Sequence, residues 1–373
     1  MNKILLLGGF KPGQSLWSIK EGFETIGWEV IYVPTRGSVA SHYAEDVALA
    51  REEADVIAAA EEWSVPYADD ADFQDGLCRT IEEHEPSILL WWFSKDDRPA
   101  GLIEHIRARY PQCKTVTHTQ DDPWDLRRSP HFSAGFEYVV TCCKESVGEY
   151  AKQGIEAIVL YPPPAASLHR RAAPARWEAC DFSVTLLSIY AKGATASADY
   201  LHSSDPVARI THPIPFPDQL VLRQDVVETV KDLGRMHLYG GLGYGTFDTI
   251  PRSSYRGFRN YYELPGVYAA AKININHHNS PRDYGYMNQR DTAITGSGGF
   301  MLTDYVAGME EVFDIGQEID TYESLQELEE KARWWLVHDQ ERVQAGRRAQ
   351  RRIFEEYGNI AYARKLAHFV GTT

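Results

Sequence analysis

With 373 residues, the chain is long enough for two domains with separate cores, and its formal net charge of −15 excludes a general electrostatic attraction to nucleic acid or an anionic membrane. No apolar run approaches the roughly 20 residues of a transmembrane helix, and the start MNKILLLGGF lacks the features of a signal peptide, so we expect a cytoplasmic protein. The five cysteines show no metal-binding spacing, and their number is odd where a set of disulfides needs an even one, which favours a reducing compartment.

The first half of the chain alternates apolar strands with helices. Residues 3–7 are predicted to form a strand, the next helix has Leu16, Ile19 and Phe23 on one face, and residues 29–33 form a second strand. Such a strand–helix–strand unit requires a parallel sheet. Further strands are predicted at residues 87–92, 114–118, 137–141 and 157–161.

Two loops of this half are candidate ligand sites. One is the turn after the first strand, which contains Gly9, Phe10 and Gln14. The alternative to a ligand site is a plain strand-to-helix turn. The fourth strand ends in the acidic loop TQDDPWD at residues 119–125. Such a loop at the carboxyl end of a strand is a candidate catalytic position.

Three side chains of this acidic region are candidates for a general base. Asp121 and Asp122 can take a proton from a hydroxyl group, and His118 is the rival candidate. The alternative is that Asp122 and the following proline only begin a turn.

A stretch rich in alanine, arginine and proline at residues 165–179 predicts an interdomain linker. The first domain then covers residues 1–168, and the second covers residues 176–357. Residues 358–373 form a last helix.

The most informative stretch of the second domain is residues 272–311. A strand at 272–276, a polar loop, a helix at 287–294 and a strand at 300–303 form one unit of a parallel α/β sheet. The loop and the start of the helix carry groups that hold a phosphate or a ribose, and the backbone amides near Met287 add an anion site. The candidates are His277, Asn279, Ser280, Arg282, Asn288 and Arg290. Adjacent His277 and His278 point to opposite sides of a strand end, which argues against a shared metal; a hydrogen-bonded core histidine is the alternative to a ligand contact.

Arginine and aromatic residues alternate in the preceding segment, residues 251–265. Tyr255, Arg256 and Phe258 belong to it, and this pattern also occurs in proteins that stack on nucleic-acid bases. Farther on, Glu310 and Glu311 stand where a helix would begin; capping that helix is the alternative to a ligand contact.

The stretch around residues 272–311 resembles the C-terminal half of the CgeB-like glycosyltransferases, relatives of the nucleotide-sugar-dependent GT-B enzymes. The resemblance covers roughly the last third of the chain, in the order and spacing of the family. It rests on YRGF (255–258), YYELPGVYAAAKININ (261–276), MNQRD from Met287, SGGFMLTD (297–304) and GMEEVF (308–313). The family usually has a Phe-Glu pair soon after the MNQRD segment, where this chain has Thr292 and Ala293.

This resemblance implies a GT-B fold: two Rossmann-like doubly wound domains facing a cleft, with the C-terminal helix crossing back to the first domain. It implies a glycosyltransferase that uses a nucleotide-sugar, in the first instance a UDP-sugar. The second domain would bind the donor through the phosphate and ribose candidates together with Tyr255, Arg256, Phe258, Glu310 and Glu311. Gly9, Phe10, Gln14 and Trp124 would bind the acceptor, which is left open between a glycan, a protein and a modified DNA base. In related enzymes the missing glutamate holds the donor ribose.

By the same resemblance, no metal and no cofactor are expected, because GT-B enzymes generally stabilise the leaving diphosphate with basic groups and helix dipoles. Three alternatives remain at this point. One is a phage-type DNA glycosyltransferase that acts on a hydroxymethylated or otherwise modified base. The others are a GT-B-fold nucleotide-sugar epimerase or hydrolase and a non-catalytic nucleotide-sugar-binding protein.

Overall fold

The computed structural model divides the chain into two compact units, Met1–Ala166 with Tyr357–Thr373 and Ser167–Glu356. It describes residues 1–8, 15–33, 70–92, 99, 101–120, 122–123, 126, 133–186, 223–240, 251–257, 259, 261–278 and 283–372. Each unit contains one parallel sheet, so the predicted α/β class with two Rossmann-like domains is confirmed. Within these residues, no helix combines the length and apolarity needed to cross a membrane. All five cysteines are buried and form no disulfide.

The sheet of the first unit has six parallel strands in the order β2-β1-β3-β4-β5-β6. They are β1 Lys3–Leu7, β2 Glu29–Val33, β3 Ile88–Trp92, β4 Lys114–His118, β5 Tyr138–Thr141 and β6 Glu156–Val159. The helices are α1 Ser15–Thr25, α2 Asp70–His84, α3 Leu102–Arg109 and α4 Lys144–Lys152. Strand β3 is buried along its whole length because helices cover both faces of a parallel sheet.

The last helix, α11 (Asn359–Phe369), packs against α1 of the first unit, so the predicted return of the C-terminal helix is confirmed. Gly22 of α1 makes this close packing possible. A Cβ atom at this position would lie 2.2 Å from the carbonyl oxygen of Asn359. Any larger residue would therefore push the two helices apart.

The sheet of the second unit has five parallel strands in the order β11-β10-β9-β7-β8. They are β7 Cys180–Leu186, β8 Met236–Gly240, β9 Ala271–Asn276, β10 Met301–Asp304 and β11 Asp320–Tyr322. Its helices are α5 Ala166–His169, which begins one residue before the unit boundary, α6 Arg223–Lys231, α7 Leu264–Ala270, α8 Gln289–Gly296, α9 Leu325–Val337 and α10 Asp339–Arg352. Short 3-10 helices occur at Arg176–Glu178, Arg252–Ser254 and Met309–Glu311, and a π-helical turn follows α10 at Ile353–Tyr357.

Most predicted strands agree with the structure to within two residues, but two elements differ. Strand β11 was not predicted, because three residues of sequence Asp-Thr-Tyr are too short and too polar to show a strand period. Helix α8 begins at Gln289 instead of Met287, because Asn288 caps it.

Candidate functional site

The carboxyl ends of β7 and β9 form the switch point of the second sheet. The chain passes from β7 to β8 on one side and then to β9 on the other, and ligands of doubly wound domains bind where the strand order reverses. The buried side chain of Arg290 spans this point. Its Nε atom donates to Asn276 Oδ1 over 2.8 Å, and its Nη atoms donate to the carbonyl oxygens of Thr185 and His277 over 3.2 and 2.9 Å. One guanidinium group therefore ties β7 to β9.

Helix α8 begins at the same edge with a capping box. Asn288 Oδ1 accepts a hydrogen bond from the Arg290 N–H group, and the Asp291 carboxylate accepts one from the Asn288 N–H group, each over 2.8 Å. The backbone amides near Met287 were predicted to bind an anion, which stays a prediction, and the two amides of the capping box are bonded within the chain. Met287 is fully buried, so its side chain belongs to the core. The Nδ2 atom of Asn288 is buried and has no hydrogen-bond partner in the part of the chain that the structure describes.

A buried polar network extends inward from the capping box. This network consists of Asn276, His278, Arg290, Asp291 and Asp304. Asn276 Nδ2 donates to Asp291 Oδ1 over 2.7 Å. His278 lies between two carboxylates, with Nε2 at 2.9 Å from Asp291 Oδ2 and Nδ1 at 2.7 Å from Asp304 Oδ1. The network therefore connects the ends of β9 and β10 to the first turn of α8.

The carboxylates determine the protonation of this network. Burial by itself would lower the pKa of His278, but Asp291 and Asp304 outweigh it and raise the pKa to about 10. Burial by itself would raise the pKa of Asp304, but the neighbouring His277 and His278 outweigh it and hold that pKa well below its ordinary value. His278 is therefore a cation at neutral pH.

His277, predicted to contact the donor, lies in the core beside the network. Its ring stacks on that of Tyr322 at 6.4 Å between centroids, and its Nδ1 atom is 3.4 Å from Asp304 Oδ2. Only 5% of its surface is exposed, and its donor contact stays a prediction. His278, the other member of the pair, is the hydrogen-bonded core histidine that the sequence left as an alternative.

Glu310 and Glu311 are exposed, and tyrosines hold both carboxylates. Glu311 accepts a hydrogen bond from Tyr284, and Glu310 accepts one from Tyr305 over 3.2 Å. Gly308 allows the close approach of Tyr284, because it has a φ of +88° and a Cβ atom there would lie 2.9 Å from the tyrosine ring. Both glutamates lie in the first turn of a helix, as predicted, and this helix is a short 3-10 helix of three residues.

Tyr255 and Arg256 lie at the β8 edge of the second sheet, where Tyr255 forms a bridge with Leu238. The Nε atom of Arg256 lies 3.4 Å from a carboxylate oxygen of buried Glu178, and Arg259 donates to the same carboxylate over 2.6 Å. The described contacts pair Arg256, which is predicted to bind the donor, with a carboxylate. Strand β7 separates this edge of the sheet from β9. Their donor contact stays a prediction.

Residues 223–368 match a family model described as glycosyl transferase-like. This match contains β9, α8, β10 and the whole buried polar network. No curated protein sequence matches the chain at a significant level.

Solved structures match over the whole chain. The chain is similar to Anabaena Alr3699/HepE in complex with UDP-glucose, with a TM-score of 0.59, 12% identity and 100% of each chain covered. It is also similar to a glycosyltransferase from Rickettsia africae, with a TM-score of 0.56, 9% identity and coverage of 99% of this chain and 97% of the other. For sucrose-phosphate synthase from Thermosynechococcus elongatus the TM-score is 0.54, the identity is 10% and the coverage is 99% and 98%. The fold is that of the GT-B glycosyltransferases, as predicted, whereas the CgeB-like subfamily stays a prediction.

In the first unit of this GT-B fold, two of the three candidate bases are buried. Asp122 Oδ2 accepts hydrogen bonds from the hydroxyl groups of Thr119, Thr141 and Tyr150 over 2.6, 2.6 and 3.0 Å. Burial raises the pKa of this carboxyl group, against the opposing effect of the three hydroxyls. The carboxylate thus ties the loop after β4 to the end of β5 and to α4.

The ring of His118 is enclosed as well, at 4.2 Å between centroids from Trp92 and with Tyr362 stacked on it at 5.9 Å. Burial lowers its pKa to about 3, so the imidazole is neutral and weakly basic. Asp122 and His118, which the sequence offered as candidate bases, are therefore core residues, and a catalytic role for either stays a prediction. A base at Asp121 stays a prediction.

Mutation of Asp122 is expected to show whether this residue stabilises the loop after β4 or acts as the general base. Asp122→Ala removes the acceptor of three buried hydroxyl groups, so we expect the melting temperature to fall by about 6 °C or more. Asp122→Asn keeps one oxygen acceptor, so its melting temperature is expected to fall by less than half as much. If Asp122 braces the loop, transfer activity of folded Asp122→Asn protein stays within about threefold of the wild type. A folded Asp122→Asn protein without turnover would instead identify the base.

Several predicted residues lie outside the described part of the chain. They are Asp121 among the bases, Gly9, Phe10, Gln14 and Trp124 for the acceptor, and Phe258, Asn279, Ser280 and Arg282 for the donor. Conversely, Asn276, Asp291 and Asp304 were not singled out as site residues. Their only signal in the sequence is position: Asn276 and Asp304 end neighbouring strands, and Asp291 is the third residue of a helix that an asparagine caps.

Proposed function

We propose that this chain is a glycosyltransferase that moves a sugar from a nucleoside-diphosphate sugar, in the first instance a UDP-sugar, to an acceptor hydroxyl group. The observation that carries the proposal is the glycosyl transferase-like match over residues 223–368, which contains β9 and α8 on one side of the switch point of the second sheet. The GT-B fold supports it, and the similar Alr3699/HepE structures contain UDP or UDP-glucose. We do not favour the epimerase or the non-catalytic binding protein.

In this reaction the bond between the anomeric carbon and the diphosphate oxygen breaks, and the acceptor oxygen forms the new bond to that carbon. The acceptor hydroxyl loses its proton to a base, which is expected in the polar loop after β4. The diphosphate gains negative charge as it leaves, so groups that stabilise this charge speed the reaction.

The donor diphosphate is proposed to lie at the N-terminus of α8. Two features of the second unit support this position. The Arg290 guanidinium places a positive charge at the switch point, and Asn288 Nδ2 is a buried donor without a partner among the described residues. The half-buried Ala293, where the family has its glutamate, has no side chain that could bond to a ribose hydroxyl, so another residue would hold the ribose.

The acceptor is proposed to be a glycan or a protein. A phage-type reaction on a modified DNA base is the second acceptor class, and the net charge of −15 argues against it. We propose a cytoplasmic location for the reaction.

UDP is expected to raise the melting temperature, because a ligand that binds only the folded state stabilises it. At a concentration of about 100 times the Kd, the stabilisation is about 2.7 kcal/mol, or roughly 5 to 10 °C for units of this size. UDP, ADP, GDP and uridine should be compared by thermal shift and calorimetry. If no nucleoside diphosphate shifts the melting temperature at millimolar concentration, the transferase proposal fails.

Turnover is expected to survive EDTA. Within the described residues no group of three histidine, cysteine, aspartate or glutamate side chains is arranged to hold a metal ion, and a guanidinium lies at the proposed diphosphate position. Sugar transfer should be measured with EDTA and then with added Mg²⁺ or Mn²⁺. Activity that disappears with EDTA and returns with either ion would contradict the proposal, and would make Asp121 the first residue to test as a ligand.

A further inference from the structure

The two carboxylate contacts of His278 define the protonation state of its ring by geometry. Nδ1 lies 2.7 Å from Asp304 Oδ1, and Nε2 lies 2.9 Å from Asp291 Oδ2. Beside two ionised carboxylates, a neutral imidazole would donate one hydrogen bond, and its other nitrogen would place a lone pair against a carboxylate oxygen. The ring donates to both carboxylates only if both ring nitrogens carry protons. The side chain is completely buried, so bulk water does not compete with either partner.

This imidazolium joins three elements of the second unit. His278 follows β9, Asp304 is the last residue of β10, and Asp291 is in the first turn of α8. The Asp304 carboxylate also accepts a hydrogen bond from the His278 backbone N–H group over 2.9 Å, so two hydrogen bonds join these two residues. Asp291 Oδ2 accepts both from His278 and from the Asn288 N–H group of the capping box. The cap of α8 and the end of β10 are therefore linked through one ring.

The other groups around this ring are polar or aromatic. Tyr286 contacts the ring edge-on at 5.8 Å between centroids, and Thr303 Oγ1 lies 3.4 Å from Nδ1. His277 faces the other oxygen of Asp304 at 3.4 Å. Arg290 is one step farther away, bonded to Asn276, which in turn donates to Asp291. His278 and Arg290 thus balance the charge of the two carboxylates inside the network.

We propose that His278 is a positioning residue, whose doubly protonated ring locks the first turn of α8 to the end of β10 and thereby sets where the α8 N-terminus meets the donor diphosphate. This inference rests on the proposed function. His278 acts through Asp291 and Asn288 and does not itself touch the donor. Its loss should weaken contacts with the phosphates more than contacts with the nucleoside.

The first test uses the wild-type protein without any ligand. The ¹⁵N signals of the His278 ring are expected to show protons on both nitrogens at pH 8, where an ordinary histidine is neutral. A ring that loses one proton near the ordinary histidine pKa would overturn the proposal. This measurement needs no variant and no knowledge of the substrate.

The second test compares His278→Gln with His237→Gln by hydrogen exchange. His237 is a matched control because it is a buried histidine of the same unit whose contacts are Tyr239 and Glu178, at the β8 edge. In His278→Gln, exchange of the Arg290 and Asp291 amides is expected to rise about tenfold or more, without a matching rise in α9. His237→Gln is expected to leave α8 unchanged. Equal acceleration in α8 and α9 would show a general core role and overturn the proposal.

The third test measures UDP and uridine binding to the same proteins. UDP affinity of His278→Gln is expected to fall about tenfold with little change for uridine, because only the phosphates depend on the position of α8. An equal loss for both ligands would overturn the proposal. If the wild type does not bind UDP, the proposed function fails, while the first two tests still decide whether His278 locks α8. If His278→Gln does not fold, Asp304→Asn, which removes one of the two carboxylates, takes its place with the same expected results.

Discussion

Replacement of Arg290 by alanine is expected to lower the free energy of unfolding by about 3 kcal/mol. The substitution leaves Asn276 Oδ1 and the carbonyl oxygens of Thr185 and His277 without their donor, and each buried group left unsatisfied costs about 1 to 3 kcal/mol. For a unit of this size, that corresponds to roughly 6 to 12 °C in melting temperature. Chemical and thermal unfolding measure the loss. Arg333→Ala is a suitable control, because its side chain is 61% exposed and pairs with Glu329 across one helical turn, so the expected cost is below about 0.5 kcal/mol.

Turnover of Arg290→Ala protein that remains folded is expected to fall by about 10²-fold, the range seen when one preorganised donor is lost. The phosphate contact of Arg290 is a prediction, and its physical basis is that charge accumulates on the diphosphate as the sugar leaves. Arg290→Lys should recover only part of the rate, because an ammonium cannot reproduce a planar bidentate contact. A low melting temperature with normal kcat in the folded protein would leave only the structural role between β7 and β9.

The stability that His278 contributes is expected to disappear between about pH 6.5 and pH 10. Its folded pKa is raised to about 10 from an ordinary value of 6.5. Below pH 6.5 both the folded and the unfolded protein hold the proton, so the contribution is complete. Between the two pKa values only the folded protein holds it, and stability falls by about 1.4 kcal/mol for each pH unit. The contribution is gone once the pH exceeds the folded pKa.

Urea unfolding of the wild type and His278→Gln from pH 6 to pH 10 measures this contribution. The difference between the two free energies of unfolding follows this ring and its two carboxylates, since residues outside the network titrate alike in both proteins. We expect the difference to shrink steadily with rising pH. A difference that stays constant through this window would mean that the ring is already neutral at pH 7. On the acid side the sign reverses: Asp304, with its lowered pKa, contributes stability above its unfolded pKa and loses it as the pH falls through the folded value.

At Asn288 the structure differs from what the sequence predicted about the site. The segment MNQRD places a helix start after β9, and this placement is correct to two residues. Its amides were expected to be open to an anion, but Asp291 and Asn288 bond two of them, because the capping box satisfies donors that a helix start otherwise leaves open. A capping box of asparagine and aspartate is less familiar than one of serine and glutamate. The pair of Asn288 and Asp291 is therefore a weak sequence signal for a capping box.

The sequence by itself determined most of the strands and the parallel sheets, and the family resemblance implied the return of the last helix. Local hydrophobic period and short turns encode the strands, as in β1 and β4, whose predicted and observed limits coincide. Tertiary structure alone decided what Arg290, His278 and Asp122 bond to. Arg290 reaches Thr185, which is 105 residues away in the chain, and His278 reaches Asp304 across 26 residues. Strand order sets such pairs, and a buried charged group takes its protonation from whichever groups the fold places beside it.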